Sequence, residues 1–257
     1  MSISISSIYF SPVKSISFHK IIKCQIKKNI GIENDRLFAF SRIIDKEKAQ
    51  RMEEEPAYRK LSNFLTLKNT PALNKFSFKY IEGELELFND KKKIISIDPD
   101  NPHEISLIEK EILNLDGLVK GPIFLLKNEN KPFFDTNSGG EIVNSISLIN
   151  LNSIRDFETK MDKKVEHHRF RGNFYIEGLP AWKEREWVGK ILRIGGLSFK
   201  VDDNIPRCSA TNLKPKTDEI TFNLPQKLKE FYNHFDLGVY ILPLGNGEIF
   251  TGDKIII

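Results

Sequence analysis

Residues 197–211, Leu-Ser-Phe-Lys-Val-Asp-Asp-Asn-Ile-Pro-Arg-Cys-Ser-Ala-Thr, join a short apolar stretch to a single cysteine. The first five of these residues predict a strand. Cys208 follows Pro206 and Arg207, and a neighbouring guanidinium favours the thiolate, the form of cysteine that attacks electrophiles and binds soft metals. On composition alone, a lone cysteine is more often a small buried apolar residue than a ligand. The meaning of Cys208 therefore depends on the residues around it.

Short strand patterns separated by Asn, Pro and Gly dominate the rest of the chain, and several short strands with turns predict a barrel or a sandwich. Helix patterns are fewer, and the charged residues 45–60 indicate a solvated loop or short helix. A boundary between two β-rich units is expected near residues 89–102. The predicted strands cover residues 3–9, 20–27, 36–44, 61–68, 75–81, 85–88, 170–176, 191–194, 197–201, 239–244 and 254–257. The predicted helices cover residues 103–115, 145–161 (capped by Asn144) and 225–235.

The composition is that of an ordinary globular protein, with 257 residues, 40% hydrophobic and 29% charged. The net charge of +4 suits anionic small molecules, but the 39 basic and 35 acidic residues are interspersed, which argues against a nucleic-acid partner. Two cysteines far apart favour a reducing compartment. We find no signal-peptide pattern and no apolar run of about 18 residues. We therefore expect a cytoplasmic protein with no membrane partner.

A donor-rich segment lies at residues 167–173, His-His-Arg-Phe-Arg-Gly-Asn. If it enters a strand, alternation places Arg169, Arg171 and Asn173 on one face, where they form a receptor for phosphate or a polar heterocycle. The alternative is a solvated strand face of basic character. The adjacent His167 and His168 would point to opposite faces of such a strand, which favours surface residues over a metal site.

Two N-terminal turns offer weaker signals. Lys14 and Ser15 follow the first predicted strand and can present an ammonium, a hydroxyl and a backbone N–H to an anion, although no P-loop glycines are present. Residues 31–36 form a second such turn, which ends in Arg36. No Ser-His-Asp order, nucleophile elbow, dinucleotide-binding fingerprint or paired-carboxylate motif accompanies them.

Taken in order, these segments resemble the MOSC family, the domain found at the C-terminus of molybdenum cofactor sulfurases and in the amidoxime-reducing component group. The N-terminal half is similar to the β-barrel domain that precedes MOSC in that group. The residues that carry the N-terminal resemblance are Pro12, Val13, Lys14, Ser15, Gly31, Asp35 and Arg36. Those that carry the C-terminal one are Arg169, Phe170, Arg171, Gly172, Asn173, Gly178, Trp187, Gly189, Ile194, Gly195, Arg207, Cys208, Thr211, Gly238, Val239, Tyr240, Gly252 and Asp253.

The resemblance implies a mainly β, α+β fold, with a β-barrel-like domain in residues 1–95 and a MOSC β-barrel with peripheral helices in residues 96–257. It implies that the cofactor is molybdenum cofactor (molybdopterin) and that the Cys208 thiolate is the catalytic metal ligand. The residues expected to hold the cofactor are Lys14, Ser15, Arg36, Arg171, Asn173 and Cys208. Asp135 matches an aspartate near the active site of relatives. Gly172 departs from the proline of many relatives, and Pro206 from a serine of some.

By the same resemblance, the expected function is an oxidoreductase that reduces N-hydroxylated or N-oxygenated small molecules. The expected electron donor is a separate reductase, because no flavin, nicotinamide or iron–sulfur motif is visible. No pyridoxal phosphate is expected, since the desulfurase domain of the sulfurases has no counterpart in this sequence. The alternative is a carrier that transfers sulfur or finished cofactor on Cys208. Both hypotheses require that cysteine, and the sequence alone does not separate them.

Overall fold

The structure is a computed structural model, and it describes residues 2–43, 45–115, 119–134 and 145–257. The described part is α+β and rich in short strands. The strands are β1 (Ser4–Phe10), β2 (His19–Ile21), β3 (Lys23–Lys27), β4 (Gly31–Ile32), β5 (Phe38–Ser41), β6 (Phe76–Ile81), β7 (Glu84–Asn89), β8 (Lys92–Ile97), β9 (Phe124–Lys127), β10 (Ile146–Asn150), β11 (Phe174–Glu177), β12 (Ile191–Ile194), β13 (Leu197–Pro206), β14 (Asp236–Pro243), β15 (Gly247–Phe250) and β16 (Ile255–Ile256). The α-helices are α1 (Lys46–Glu54), α2 (Pro102–Asn114), α3 (Leu151–Met161) and α4 (Leu224–Tyr232).

The largest described sheet has eight strands in the order β16-β12-β13-β14-β10-β11-β1-β2. Strand β1, from the N-terminus, therefore lies among the C-terminal strands, antiparallel to β11. Smaller sheets of order β15-β3-β4, β5-β9 and β6-β7-β8 complete the described architecture. None of these sheets closes into a barrel, although Ser4 of β1 forms an isolated bridge with Lys254, next to the edge strand β16. The α+β class is confirmed, and the barrels remain a prediction.

Two main cores support the sheets. One contains Phe174, Phe199 and Val239 and lies under the eight-stranded sheet. The second core includes Phe78 of β6 and Leu85 of β7, which pack with Ile108 and Ile112 of α2. Residues on both sides of the expected boundary at 95/96 thus pack together. That boundary remains a prediction.

The helix predicted over residues 145–161 is wrong in its first part, because residues 146–150 form β10. All five residues of β10 are buried, between β14 and β11. The segment Ile-Ser-Leu-Ile-Asn shows no clean alternation of apolar and polar residues, so periodicity alone does not distinguish this buried strand from a buried helix. The helix begins at Leu151, and the Asn150 side chain caps it by accepting a hydrogen bond from Asn152 N at 3.0 Å. The predicted cap, Asn144, lies outside the described residues.

The strand predicted over residues 170–176 begins only at Phe174. A 3-10 helix spans His167–Phe170, and Arg171 follows it in the left-handed conformation. The buried Arg169 guanidinium bonds Glu166, the Asn212 carbonyl and the Thr221 hydroxyl. These tertiary contacts hold Arg169 away from the face on which alternation had predicted it.

The strand predicted over residues 61–68 is also absent from the described structure, where a 3-10 helix spans Leu61–Asn63. The side chain of Asn69 bonds the backbone of Thr66 and Phe64, which stabilises a turn at this place. The other two predicted helices correspond to α2 and α4.

Candidate functional site

A cavity of about 400 Å³ brings together five of the six residues predicted to bind a cofactor. Its lining includes Lys14, Ser15, Arg36, Arg171 and Cys208. We call it the cysteine cavity. These residues come from the loop after β1, the turn before β5, the turn before β11 and the end of β13. The fold thus assembles in one place residues that are up to 194 positions apart in the chain, Lys14 and Cys208.

Cys208 lies just beyond the end of β13 and is exposed. A four-residue 3-10 helix, Ser209–Asn212, follows it, and the Thr211 hydroxyl donates a hydrogen bond to the Cys208 carbonyl at 2.8 Å. The guanidinium of Arg207 donates to the carbonyls of Leu237 and Phe170, both at 2.8 Å. The backbone on each side of the thiol is therefore fixed while the thiol itself stays accessible.

Lys14 is buried, with only 6% of its surface exposed, yet it lines the cavity. Its ammonium donates to the Phe133 carbonyl at 3.1 Å and lies 5.8 Å from the centre of the Phe64 ring. Its backbone N–H donates to the Phe38 carbonyl. A buried ammonium is costly unless it is bonded, so this lysine has a fixed position rather than a solvated one.

The side chain of Arg36 is fixed by its neighbour in the chain, Asp35, which does not itself line the cavity. The Asp35 carboxylate forms an ion pair with the Arg36 guanidinium and accepts a hydrogen bond from Ser11 N at 3.2 Å. Burial raises the pKa of Asp35, and the positive charge of Arg36 opposes that shift. The guanidinium also packs over the rings of Phe18 and Phe134, at 4.8 and 5.0 Å. These contacts fix the guanidinium at the cavity wall.

Arg171 enters the cavity from the end of the 3-10 helix His167–Phe170. Its guanidinium lies 4.7 Å from the centre of the Phe18 ring. The next residue, Gly172, donates its N–H to the Tyr175 hydroxyl at 3.0 Å. A proline at this position, as the resemblance led us to expect, would lack that donor. A Cβ there would also lie 2.5 Å from the Ile149 side chain.

Asn173 does not line the cavity and is completely buried. Its amide nitrogen donates to the Tyr9 carbonyl and to Asp35, and its amide oxygen accepts from Ser147 N and Oγ. These four bonds use both N–H donors and both acceptor positions of the amide, and they hold Asn173 beside the cavity wall. Its direct contact with a cofactor stays a prediction.

Three residues of the cavity have positive φ angles that non-glycine residues rarely adopt: Ser15 (62°), Arg36 (54°) and Arg171 (49°). Such conformations cost about 1 kcal/mol or more each and persist where surrounding contacts impose them. Here they direct side chains of three separate turns toward one cavity. No sequence pattern signals them, because none of the three is a glycine.

Several polar residues of the lining are not among those predicted from the sequence; they include Thr66, Lys68, Ser147, Arg207, Thr211 and Tyr240. Arg207, Thr211 and Tyr240 belong to segments already noted for the resemblance, whereas Thr66 and Lys68 lie in the segment misassigned as a strand. Among the described residues, the lining has five cationic side chains and no carboxylate. Asp135 lies outside the described residues.

The cavity combines two kinds of chemistry. The cationic side chains are charge-assisted donors for a phosphate or another anion, and the exposed thiol is a soft ligand. Within the described part of the chain, no group of three or more His, Cys, Asp or Glu side chains is placed to hold a metal ion. The donor set therefore fits an anionic group whose metal takes a single thiolate from the protein, as molybdenum cofactor does in the expectation above.

Comparison with known proteins identifies the C-terminal part of the chain. The family model described as "MOSC domain" matches residues 135–256, just under half of the sequence. The match confirms the resemblance to MOSC domains for these residues.

Curated relatives give a more particular similarity. The chain is 33% identical over 113 residues to mitochondrial amidoxime reducing component 2 of Rattus norvegicus and 31% identical over 91 residues to that of Bos taurus. The matches cover 43% and 35% of this chain, but only 33% and 26% of those proteins. The matched segments thus span about a quarter to a third of the relatives' length.

Among solved structures, the YUAD protein from Bacillus subtilis aligns with 99% of this chain and 94% of its own, with a TM-score of 0.45 and 11% identity.

None of the described helices combines the length and apolar character needed to cross a lipid bilayer.

Proposed function

We propose that this chain is a molybdenum-cofactor-dependent oxidoreductase that reduces N-hydroxylated or N-oxygenated small molecules. One observation carries the proposal: Cys208 lines the same cavity as Lys14, Ser15, Arg36 and Arg171. The MOSC match and the similarity to proteins named amidoxime reducing components support the same class. The cytoplasmic location and a separate reductase as electron donor belong to this proposal.

In this function the residues of the cavity have distinct tasks. Lys14, Ser15 and Arg36 hold the anionic phosphate of the cofactor, and Arg171 adds a fourth donor. Asp35 positions Arg36 through its ion pair, and Asn173 positions Asp35 through a hydrogen bond. Cys208 provides the thiolate ligand. The cofactor, when bound, supplies two-electron redox chemistry with transfer of an oxygen atom, and the protein orients it and controls access.

The exposure of Cys208 also favours a second candidate, a carrier that transfers sulfur or the finished cofactor to another protein. An accessible thiol is open to a protein partner as well as to a small molecule. A carrier does not require turnover, so the two candidates differ in what they do with a reductant and a substrate. Neither requires pyridoxal phosphate.

The test uses protein purified from a host that makes molybdenum cofactor. We expect bound molybdenum by elemental analysis and reduction of benzamidoxime with chemically reduced methyl viologen as electron donor. In the absence of turnover on any amidoxime or hydroxylamine, bound molybdenum would favour a cofactor carrier, and a persulfide on Cys208 by mass spectrometry would favour a sulfur carrier. Protein that contains neither molybdenum nor a persulfide would contradict both.

A further inference from the structure

A second cavity, of about 430 Å³, adjoins the cysteine cavity. Leu67, Arg171 and Ala210 line both, so the two cavities meet at these residues. We call the second one the adjoining cavity. Its volume is within the range of pockets that bind small organic molecules. The proposed function has not yet assigned it a role.

The adjoining cavity begins close to Cys208. Ala210, in its wall, follows Cys208 by two residues, in the 3-10 helix Ser209–Asn212. Consecutive Cα atoms are about 3.8 Å apart, so the Cα atoms of Cys208 and Ala210 lie within about 7 Å of each other. In the proposed function the cofactor takes up the cysteine cavity, because residues of that cavity hold both its phosphate and its metal. The adjoining cavity then offers room beside the metal for the body of a substrate.

Part of the wall of the adjoining cavity is apolar and aromatic. Phe18, Phe76 and Leu213 line it, together with Tyr9 and Tyr175. The rings of Tyr9 and Tyr175 pack edge to face, with centroids 5.5 Å apart. Aromatic side chains bury a large apolar area and pack well against other rings. This part of the wall therefore suits a planar ring.

The adjoining cavity is also strongly positive. One carboxylate, that of Asp90, lines it against six cationic side chains, which are Lys20, Lys75, Lys79, Arg169, Arg171 and Lys216. Three of these cations form ion pairs, namely Lys75–Asp218, Lys216–Asp90 and Arg169–Glu166.

Lys20 and Lys79 differ from those three cations. Neither forms an ion pair with a carboxylate of the described residues. The ammonium of Lys79 lies 4.7 Å from the centre of the Phe88 ring, a contact that leaves its charge unneutralised. An anion in the adjoining cavity can therefore pair with both lysines.

Two histidines in the wall reflect this positive potential. Burial lowers the pKa of His168, and the charges of Lys216 and Lys20 lower it further, against the opposing charge of Glu166. Burial and the charge of Lys79 lower the pKa of His19 to about 4. Nearby positive charges disfavour a protonated imidazole, so both rings are neutral at pH 7. The charge of the cavity thus comes from its lysine and arginine side chains.

We propose that the adjoining cavity selects the substrate: it holds the ring of an aromatic N-hydroxylated compound, and Lys20 and Lys79 bind a carboxylate or phosphate carried by that ring. This inference rests on the proposed function, because it names the substrate class of the same site. The N-hydroxyl group lies where the two cavities meet, next to Cys208. A neutral compound of the same shape lacks the partner for the two lysines and is the poorer substrate.

The first measurement compares 4-carboxybenzamidoxime, its phosphonate analogue and its neutral methyl ester. The full chain, loaded with cofactor, is supplied with chemically reduced methyl viologen. Reduction breaks the N–O bond, takes two electrons from two viologen radical cations and two protons from water, and releases the amidine and one water molecule. We expect kcat/KM for at least one of the two anions to exceed that for the ester by about fivefold or more. The preferred anion distinguishes carboxylate from phosphate recognition.

Variants of lysines test where this preference arises. In Lys20→Gln/Lys79→Gln, the ratio of kcat/KM for the preferred anion to that for the ester should fall to about 1. The matched control is Lys190→Gln/Lys200→Gln, which removes the same net charge at two exposed lysines outside both cavities. This control should keep the wild-type ratio.

The second measurement does not depend on a bound metal. Isothermal titration calorimetry of Cys208→Ser with the same three compounds should show the same preference for an anion, and adding Lys20→Gln/Lys79→Gln should abolish it. Turnover of benzamidoxime by wild type tests the proposed function, whereas calorimetry tests this inference without turnover. The two failures are therefore distinguishable. If the protein turns over no amidoxime, the calorimetric comparison decides; otherwise kcat/KM decides.

Two results would overturn the inference. One is an ester that performs as well as both anions in the deciding measurement. The other is a preference for an anion that Lys20→Gln/Lys79→Gln retains and that Arg36→Gln abolishes in calorimetry, because the anion would then lie in the cysteine cavity.

Discussion

The side-chain amide of Asn173 donates a hydrogen bond to the carboxylate of Asp35 at 3.0 Å. Both side chains are buried, and they come from the N-terminal part of the chain and from the MOSC domain. The same carboxylate pairs with Arg36 and accepts from Ser11 N. The position of Arg36 at the cysteine cavity therefore depends on contacts between distant parts of the chain.

Replacing Asp35 by Asn is expected to destabilise the fold and disturb the cavity together. The amide keeps the size of the side chain but leaves the Arg36 guanidinium, of which 17% is exposed, without its charged partner. Loss of one partner of a buried ion pair typically costs about 3 kcal/mol. The free energy of unfolding, measured with urea, should fall by about that amount. Glu177→Gln, which breaks the exposed Arg155–Glu177 pair, is the control and should cost less than about 1 kcal/mol.

The two cysteines should differ sharply in reactivity and in their effect on metal content. Cys208 is exposed, whereas Cys24 lies buried in β3, where burial raises the pKa of its thiol to about 12. Iodoacetamide should therefore label only Cys208 in the native protein and both cysteines in urea. Cys208→Ser should remove bound molybdenum with little change in stability, and Cys24→Ser should retain it.

Labelling of Cys24 in native protein at the rate of Cys208 would contradict this burial. Equal molybdenum in Cys208→Ser and wild type would contradict the ligand assignment. Cys24→Ser buries a hydroxyl among apolar residues, so it is expected to lower the free energy of unfolding by about 1–3 kcal/mol without affecting the metal.

The sequence selected residues that lie together in the fold, but it did not predict the local structure that presents them. Lys14, Ser15, Arg36, Arg171 and Cys208 were selected from motifs, and the structure gathers them around one cavity. Motif matching depends on residue identity and order, and the role of these residues in binding a cofactor stays a prediction. It did not predict that three of these residues have positive φ, since tertiary contacts impose that conformation.

The errors in secondary structure have a common physical origin. Residues 146–150 are buried on both faces, so their pattern has no strand alternation to detect. At residues 167–171, the contacts of the buried Arg169 with Asn212 and Thr221 favour a 3-10 turn over a strand. In both segments, partners distant in sequence decide the conformation, and a single sequence does not specify those partners.

Gly238 is expected to tolerate no side chain. It lies in β14 with φ +85°, and a Cβ there would be 2.6 Å from the Leu148 carbonyl oxygen of the neighbouring β10 and 3.3 Å from Arg207 Nη2. Gly238→Ala combines backbone strain with a clash against backbone, so it should lower the free energy of unfolding by about 3 kcal/mol.

Gly83 separates these two effects. Its φ is +87°, but nothing lies within 4 Å of the position of a Cβ. Gly83→Ala should therefore show only the cost of the left-handed conformation, about 1 kcal/mol. Equal losses for the two variants in urea unfolding would mean that the close approach of β10 to Gly238 has no energetic effect.

The pH dependence of the free energy of unfolding should reflect the titration of two partly buried histidines, His19 and His167. Burial, with smaller contributions from His168 and Lys20, lowers the pKa of His167 to about 4, and burial with Lys79 lowers that of His19 equally. In the unfolded chain both groups titrate near 6.5. Between pH 6.5 and 4 the unfolded chain thus binds protons that the folded chain does not. Stability rises with pH where the unfolded state binds more protons, so the stabilising contribution is complete above pH 6.5 and is lost toward pH 4.

The measurement is the urea midpoint of wild type, His167→Gln and His103→Gln at several values between pH 7 and 4.5. His167→Gln removes one of the two groups, so its stability should decline less steeply below pH 6.5 than that of wild type. The difference in slope should stay below the limit of about 1.4 kcal/mol per pH unit for one group, because His167 is only half-buried. His103 is exposed at the start of α2 and serves as the control for loss of a histidine. If the stability of His167→Gln declined below pH 6.5 as steeply as that of wild type, the His167 ring would accept its proton as easily in the folded protein as in the unfolded chain.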